Sequence, residues 1–124
     1  MQLNDVLTVE LVESIYREHI NAGVLRDRLA LESALGVPFS TWEGKELYPT
    51  LTLKAARLLY HVQSAQAYSD GNKRIAWLAL VVFLGLHELT IADTSEDEAA
   101  EFVLKVAERQ CSVEEAARWI GRRI

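Results

Sequence analysis

Cysteine is almost absent: Cys111 stands alone, so no intrachain disulfide can form and no Cys/His cluster has zinc-ligand spacing. A reducing cytoplasm is therefore the expected compartment. An excess of basic charge is also missing. The chain sets 13 Lys plus Arg against 18 Asp plus Glu, and its net charge of -5 opposes non-specific attraction to DNA or to an acidic membrane surface. Direct nucleic-acid binding is not expected, and any anion site has to be local. The longest apolar run, Ile75 to Leu84, is shorter than the roughly 20 residues needed to cross a bilayer. The opening "MQLNDVLTVE" lacks the basic start and apolar run of a secretory signal. Internal repeats, low-complexity segments and strand-like alternation are missing as well, which excludes repeat architectures and large sheets.

What remains is helical. At 124 residues and 50% hydrophobic, the chain has apolar material for one core, so a single domain spanning 1–124 is expected. Asn4 or Asp5 is the expected cap of a first helix through His19, with Leu7, Leu11, Ile15 and His19 on one face. A short second helix is expected from about Arg28 to Leu35. The following "GVPFSTWEGKELYP", with Gly36, Pro38, Gly44 and Pro49, cannot be regular helix and reads as an extended flap. Thr50 caps a third helix, "LTLKAARLLYHVQSAQ", with Leu51, Ala55, Leu58, Leu59 and Val62 as its apolar stripe. A fourth runs from near Asn72 through Leu86, apolar all round from Ile75 and so expected to be central. The pairs Ser95/Glu98 and Ser112/Glu115 have capping-box spacing and open two amphipathic helices, "EDEAAEFVLKVAERQ" and "VEEAARWIGRRI". The expected fold is all-α: six helices with one short flap before the third.

Between the third and fourth helices lies "SAQAYSDGNKR". Gly71 takes positive φ at no steric cost, so a turn at Asp70-Gly71 can aim successive N–H groups into one concavity. The start of the fourth helix then favours an anion, and Lys73 and Arg74 add two full charges. Asp70 beside them is a candidate to hold Mg²⁺, which prefers oxygen ligands and binds phosphates at the same time. Taken alone, Asp-Gly-Asn is also an ordinary turn, and a Lys-Arg pair is ordinarily a solvated face.

The run Gln66-Ala67-Tyr68-Ser69-Asp70-Gly71-Asn72-Lys73-Arg74 resembles the signature of the Doc (death-on-curing) branch of the Fic/Doc, or Fido, family, His-x-Phe-x-Asp-(Ala or Gly)-Asn-Lys-Arg. The flanking "LRDRLALESAL", "WEGKELYPTLTLKAARLLY" and "IAWLALVVFLGLHELTI" are similar to the family's pre-flap segment, flap with its following helix, and central helix. The resemblance implies an all-helical Fido fold. It also implies a toxin of a toxin–antitoxin pair that transfers the γ-phosphoryl group of ATP to a threonine of elongation factor Tu, arrests translation and is blocked by a Phd-like antitoxin. The Fic branch instead transfers AMP; there a second glycine stands at the position of Lys73 and a further arginine at that of Trp77, so both positions resemble Doc. By the same resemblance, Gln66, Asp70, Asn72, Lys73 and Arg74 are the catalytic set. Asp70, Gly71, Asn72, Lys73 and Arg74 hold ATP, and Asp70 holds Mg²⁺. Tyr68 replaces the family Phe, and its hydroxyl needs a partner.

Gln66 stands where the family has the histidine that takes the proton from the attacking hydroxyl. Glutamine has no group that titrates near neutral pH, and losing a general base typically costs about 10²- to 10⁴-fold in rate. His61, five residues earlier and about 140° around the helix axis, is expected to face elsewhere. His19 and His87 fall near helix C-termini, where a cationic side chain is commonly structural. Three accounts fit Gln66: a relative that binds without turnover, a weak enzyme relying on positioning and charge, or an inactivated form of a toxic parent. A non-catalytic module binding a nucleotide or an antitoxin-like peptide is the alternative function, and AMP transfer is a further one. Trp42, Glu43 and Lys45 of the flap are candidates to touch a protein substrate, whereas Trp77, Phe83 and Cys111 read as packing residues.

Overall fold

The computed structural model describes residues 6–124, so the expected caps Asn4 and Asp5 lie outside the described residues. Helix α1 spans Val9–His19 and is capped by Thr8, whose side chain accepts from the Leu11 N–H. The first helix therefore starts later than expected. Its buried face is also different: Val9, Val12 and Tyr16 are buried, with Leu7 tucked under the core ahead of the helix, while His19 is exposed. The spacing of Leu11, Ile15 and His19 is helical, but the core lies under the neighbouring stripe.

Helix α2 (Arg28–Gly36) is capped by Asp27 and runs into a 3₁₀ turn at Val37–Phe39. The flap is a hairpin of two-residue strands, β1 (Thr41–Trp42) and β2 (Lys45–Glu46), paired antiparallel. Glu43 and Gly44, both at positive φ, make its turn. Lys54, nearly buried, ties this flap to the next helix: its ammonium group donates to the carbonyls of Pro38 and Tyr48 and pairs with Glu46 at 3.1 Å.

Helix α3 (Leu51–Ala65) starts at the Thr50 cap and buries Ala55, Ala56, Leu58, Leu59 and Val62. Helix α4 (Asn72–Leu86) buries Ile75, Ala76, Ala79, Leu80, Phe83 and Leu84. α3 packs against α2, α4, α5 (Glu96–Ala107) and α6 (Val113–Gly121), so the centre is shared by α3 and α4 and not held by α4 alone. The apolar circumference of α4 is only partly covered: Val81 is exposed, and Trp77 and Leu78 are half-buried. At its C-terminus, where glycine is usual, Glu88 takes the left-handed conformation (φ 60) and the Leu89 N–H returns to the Leu84 carbonyl. The last two helices end at Ala107 and Gly121, a few residues before their sequence patterns do. The capping box at Ser112/Glu115 is complete. At Ser95 only half of it forms, because the Glu98 carboxylate meets the Ser95 hydroxyl and leaves its backbone N–H. Six helices and a short flap before the third make the fold all-α, as the patterning and capping signals imply. None of the described helices is long and apolar enough to cross a membrane.

Candidate active site

The segment Gln66–Gly71 joins α3 to α4 and is held from three sides. Gln66 ends α3 in the left-handed conformation (φ 49, ψ 42). Its side-chain N–H₂ donates to the Gln63 carbonyl at 2.7 Å, and its carbonyl oxygen accepts from the Asn72 amide at 3.3 Å. The Asn72 amide also accepts from the Tyr68 N–H and donates to the Tyr68 carbonyl. Both residues thus spend their amides on closing the loop. Orienting a substrate, the alternative use of Gln66, competes with those bonds.

From the second side, residues 23–27 line up along the loop. Arg26 and Asp27 donate backbone N–H groups to Ala67, and Ser69 exchanges bonds with Val24 through both its backbone and its hydroxyl. Gly23 approaches so closely that a Cβ there would lie 2.1 Å from the Ser69 hydroxyl oxygen.

From the third side, α1 clamps the turn. The buried rings of Tyr16 and Tyr68 stack with centroids 3.8 Å apart, and the Tyr16 hydroxyl donates to the Asp70 carbonyl at 2.8 Å. Tyr68 finds the partner its hydroxyl requires in Glu13, at 2.6 Å, and Glu13 is paired in turn with Arg17 at 2.8 Å. Burial first, then the Glu13 carboxylate, push the Tyr68 hydroxyl far above its ordinary pKa, so it stays a neutral donor. Gly71 has φ 80, and a Cβ there would meet the Ile20 side chain at 2.8 Å.

The consequence appears at the start of α4. Thr8, Asp27, Thr50, Ser95 and Ser112 each cap a helix through a side-chain oxygen. α4 alone among the six helices has Gly71 as N-cap and no side-chain cap bond, so its first N–H groups stay open. Lys73 and Arg74 are exposed in that first turn and make no ion pair among the described residues. Asp70 accepts the Gly71 N–H through one carboxylate oxygen at 2.7 Å, leaving the other open.

These residues line an open cleft of about 920 Å³. Gln66, Asp70, Gly71, Asn72, Lys73 and Arg74, the full set singled out in the sequence, all reach its wall. Trp77 also lines it, and its ring packs edge-on to Trp119 at 6.2 Å. The rest of the lining is Ile20 from the end of α1 and Glu96, Ala99, Ala100, Val103 and Leu104 from α5, none of which the sequence singled out, together with His19, which the sequence read as structural. No three His, Cys, Asp or Glu side chains cluster as a metal site among the described residues. A divalent cation here would take Asp70 as one ligand and the rest of its shell from phosphate and water, as Mg²⁺ commonly does.

The remaining candidates lie elsewhere. His61 does not line the cleft; its ring is edge-on to Tyr60, and its Nε2 has no hydrogen-bond partner among the described residues. The Nδ1 of His87 lies 3.0 Å from the Phe83 carbonyl at the end of α4. Trp42, Glu43 and Lys45 are exposed on the flap. Burial, then Glu115, raise the Cys111 thiol, which disfavours a nucleophilic thiolate.

Comparison with known proteins finds a family that matches this region of the chain. The model of the Fic/DOC family matches residues 3–84, which contain the whole loop and the start of α4. The protein named Toxin Doc from Mycolicibacterium smegmatis is similar, 37% identical over 94 residues that cover 75% of this chain and 72% of the relative.

Proposed function

This chain belongs to the Fic/Doc family, and from that premise we propose that it is a Doc-like toxin, a phosphotransferase moving the γ-phosphoryl group of ATP to a Thr or Ser hydroxyl of a translation factor such as elongation factor Tu. The observation that carries the proposal is the uncapped start of α4, with the Lys73 and Arg74 charges beside it, opening on a cleft of about 920 Å³. Phosphoryl transfer asks a protein chiefly for positioning and charge neutralisation, and that is what this helix start supplies. Open N–H groups and Lys73 and Arg74 would hold the phosphate oxygens, and Asp70 would hold the Mg²⁺ that accompanies ATP. Bound Mg²⁺ would supply further neutralisation of the phosphate charge. Gly71 and Asn72 keep the loop in its turned shape, and Trp77 and Leu78 offer the nucleotide an apolar wall.

In the transfer itself, the acceptor oxygen bonds to the γ-phosphorus as the bond to the β-phosphate oxygen breaks. ADP leaves with that electron pair, and the hydroxyl proton passes to a base. Gln66 cannot be that base, so the chain is a slow or impaired enzyme by this reading. A single domain spanning 1–124, a Phd-like antitoxin as partner and a cytoplasmic setting complete the proposal. AMP transfer is disfavoured by Lys73 and Trp77 at the positions that mark the Fic branch.

The test is label transfer from γ-labelled and α-labelled ATP to purified elongation factor Tu, comparing the chain with Gln66→His. Gaining γ-label with the variant, by about 10²-fold or more over the parent chain, supports the proposal. Transfer of α-label would move the chain to the AMP-transferring class. ATP binding with no transfer of either label by either protein favours a non-catalytic binding module.

A further inference from the structure

His19 ends α1 and shares the cleft with Gln66, Asp70, Lys73 and Arg74. We infer that His19 is the general base that acts where Gln66 cannot, an inference that rests on the phosphotransfer reading above. Two sets of contacts support it. First, Gln66 is committed to the Gln63 carbonyl and the Asn72 amide, so the position where the family carries its base is a loop clasp in this chain. Second, the end of α1 is fastened to the phosphate-binding turn by the Tyr16–Asp70 hydrogen bond and by the close approach of Ile20 to Gly71. His19 lies between those two anchors in sequence, so its backbone is fixed relative to the turn while its ring stays solvent-facing, with 57% of the side chain exposed. The ring is therefore open to a protein hydroxyl that enters the cleft.

His19 is the one histidine among the cleft-lining residues. Glu18, on its own helix, has a carboxylate oxygen 3.8 Å from the ring, and the other charged groups lining the cleft are Asp70 on the loop, Lys73 and Arg74 on α4, and Glu96 on α5. Asp70 and Glu96 are the competing acceptors, and a carboxylate is the weaker base than a neutral imidazole. In the step, the unprotonated ring nitrogen of His19 takes the hydroxyl proton as the acceptor oxygen bonds to the γ-phosphorus. The phosphoryl bond to ADP breaks, and ADP carries away the electron pair.

The experiment follows γ-label transfer to elongation factor Tu by the parent chain, His19→Gln, Glu96→Gln, Gln66→His and the His19→Gln/Gln66→His pair, with His87→Gln as a control outside the cleft. The parent transfers slowly. His19→Gln lowers that rate by about 10²-fold or more, whereas His87→Gln keeps it. In the Gln66→His background the His19 substitution costs at least about tenfold less, because the two bases are alternatives. Transfer by Gln66→His with none by the parent would overturn the inference and leave the phosphotransfer reading standing. So would loss of the parent rate in Glu96→Gln with none in His19→Gln. If neither the parent nor Gln66→His transfers label to this target or to lysate proteins, the phosphotransfer reading falls and the role of His19 falls with it.

Discussion

Gly71 and Gln66 show how single residues set this site. Gly71 has φ 80 and no room for a Cβ, which would lie 2.8 Å from Ile20. Strain of this kind costs about 1–3 kcal/mol, so Gly71→Ala is expected to lower stability by that amount, read from urea unfolding midpoints. The turn at Asp70-Gly71 was legible because glycine after aspartate is local turn chemistry. The use made of Gln66 was not legible. Its two amide bonds depend on the Gln63 carbonyl and on Asn72 across the loop, and no rule of spacing reveals which acceptor a side chain chooses. Tyr68 lies between these cases: its need for a partner was readable, whereas Glu13, 55 residues away in sequence, was not.

At the scale of elements, caps decide where helices begin. Thr50, Ser95 and Ser112 cap as their sequences indicate, because the capping bond is formed within four residues. The first helix departs from expectation. Leu7 is buried ahead of it and Thr8, itself a favoured capping residue, takes the cap. Ser112 anchors a full capping box and Ser95 half of one. Ser112→Ala is therefore expected to cost about 1 kcal/mol, and more than Ser95→Ala, in thermal or urea unfolding. The same logic gives α4 its role: the one helix among the six whose start has no side-chain cap opens on the cleft.

For the molecule as a whole, the six helices were readable from periodicity and capping signals. The cleft was only half readable, because one wall comes from the local motif and the other from α1 and α5, brought there by packing. Stability at this scale should carry a pH signature from α3. Burial, and after it the charge of Arg57, pull His61 below its usual value of 6.5. The folded state then binds fewer protons than the unfolded one. The stability linked to His61 is complete above about pH 6.5 and is lost as the pH falls through the lower folded value. Urea midpoints taken at pH 7.5 and at pH 5, roughly spanning the histidine range, should fall further for the parent chain than for His61→Gln.

The net charge of -5 repels anions in general, so affinity for ATP must come from the start of α4. Calorimetric titration of Mg·ATP into the chain and into the Lys73→Ala/Arg74→Ala double variant tests this most directly. The account predicts binding by the parent that weakens with added salt, and about tenfold or greater loss in the double variant. Equal affinity for the two proteins, or no binding by the parent, would contradict it.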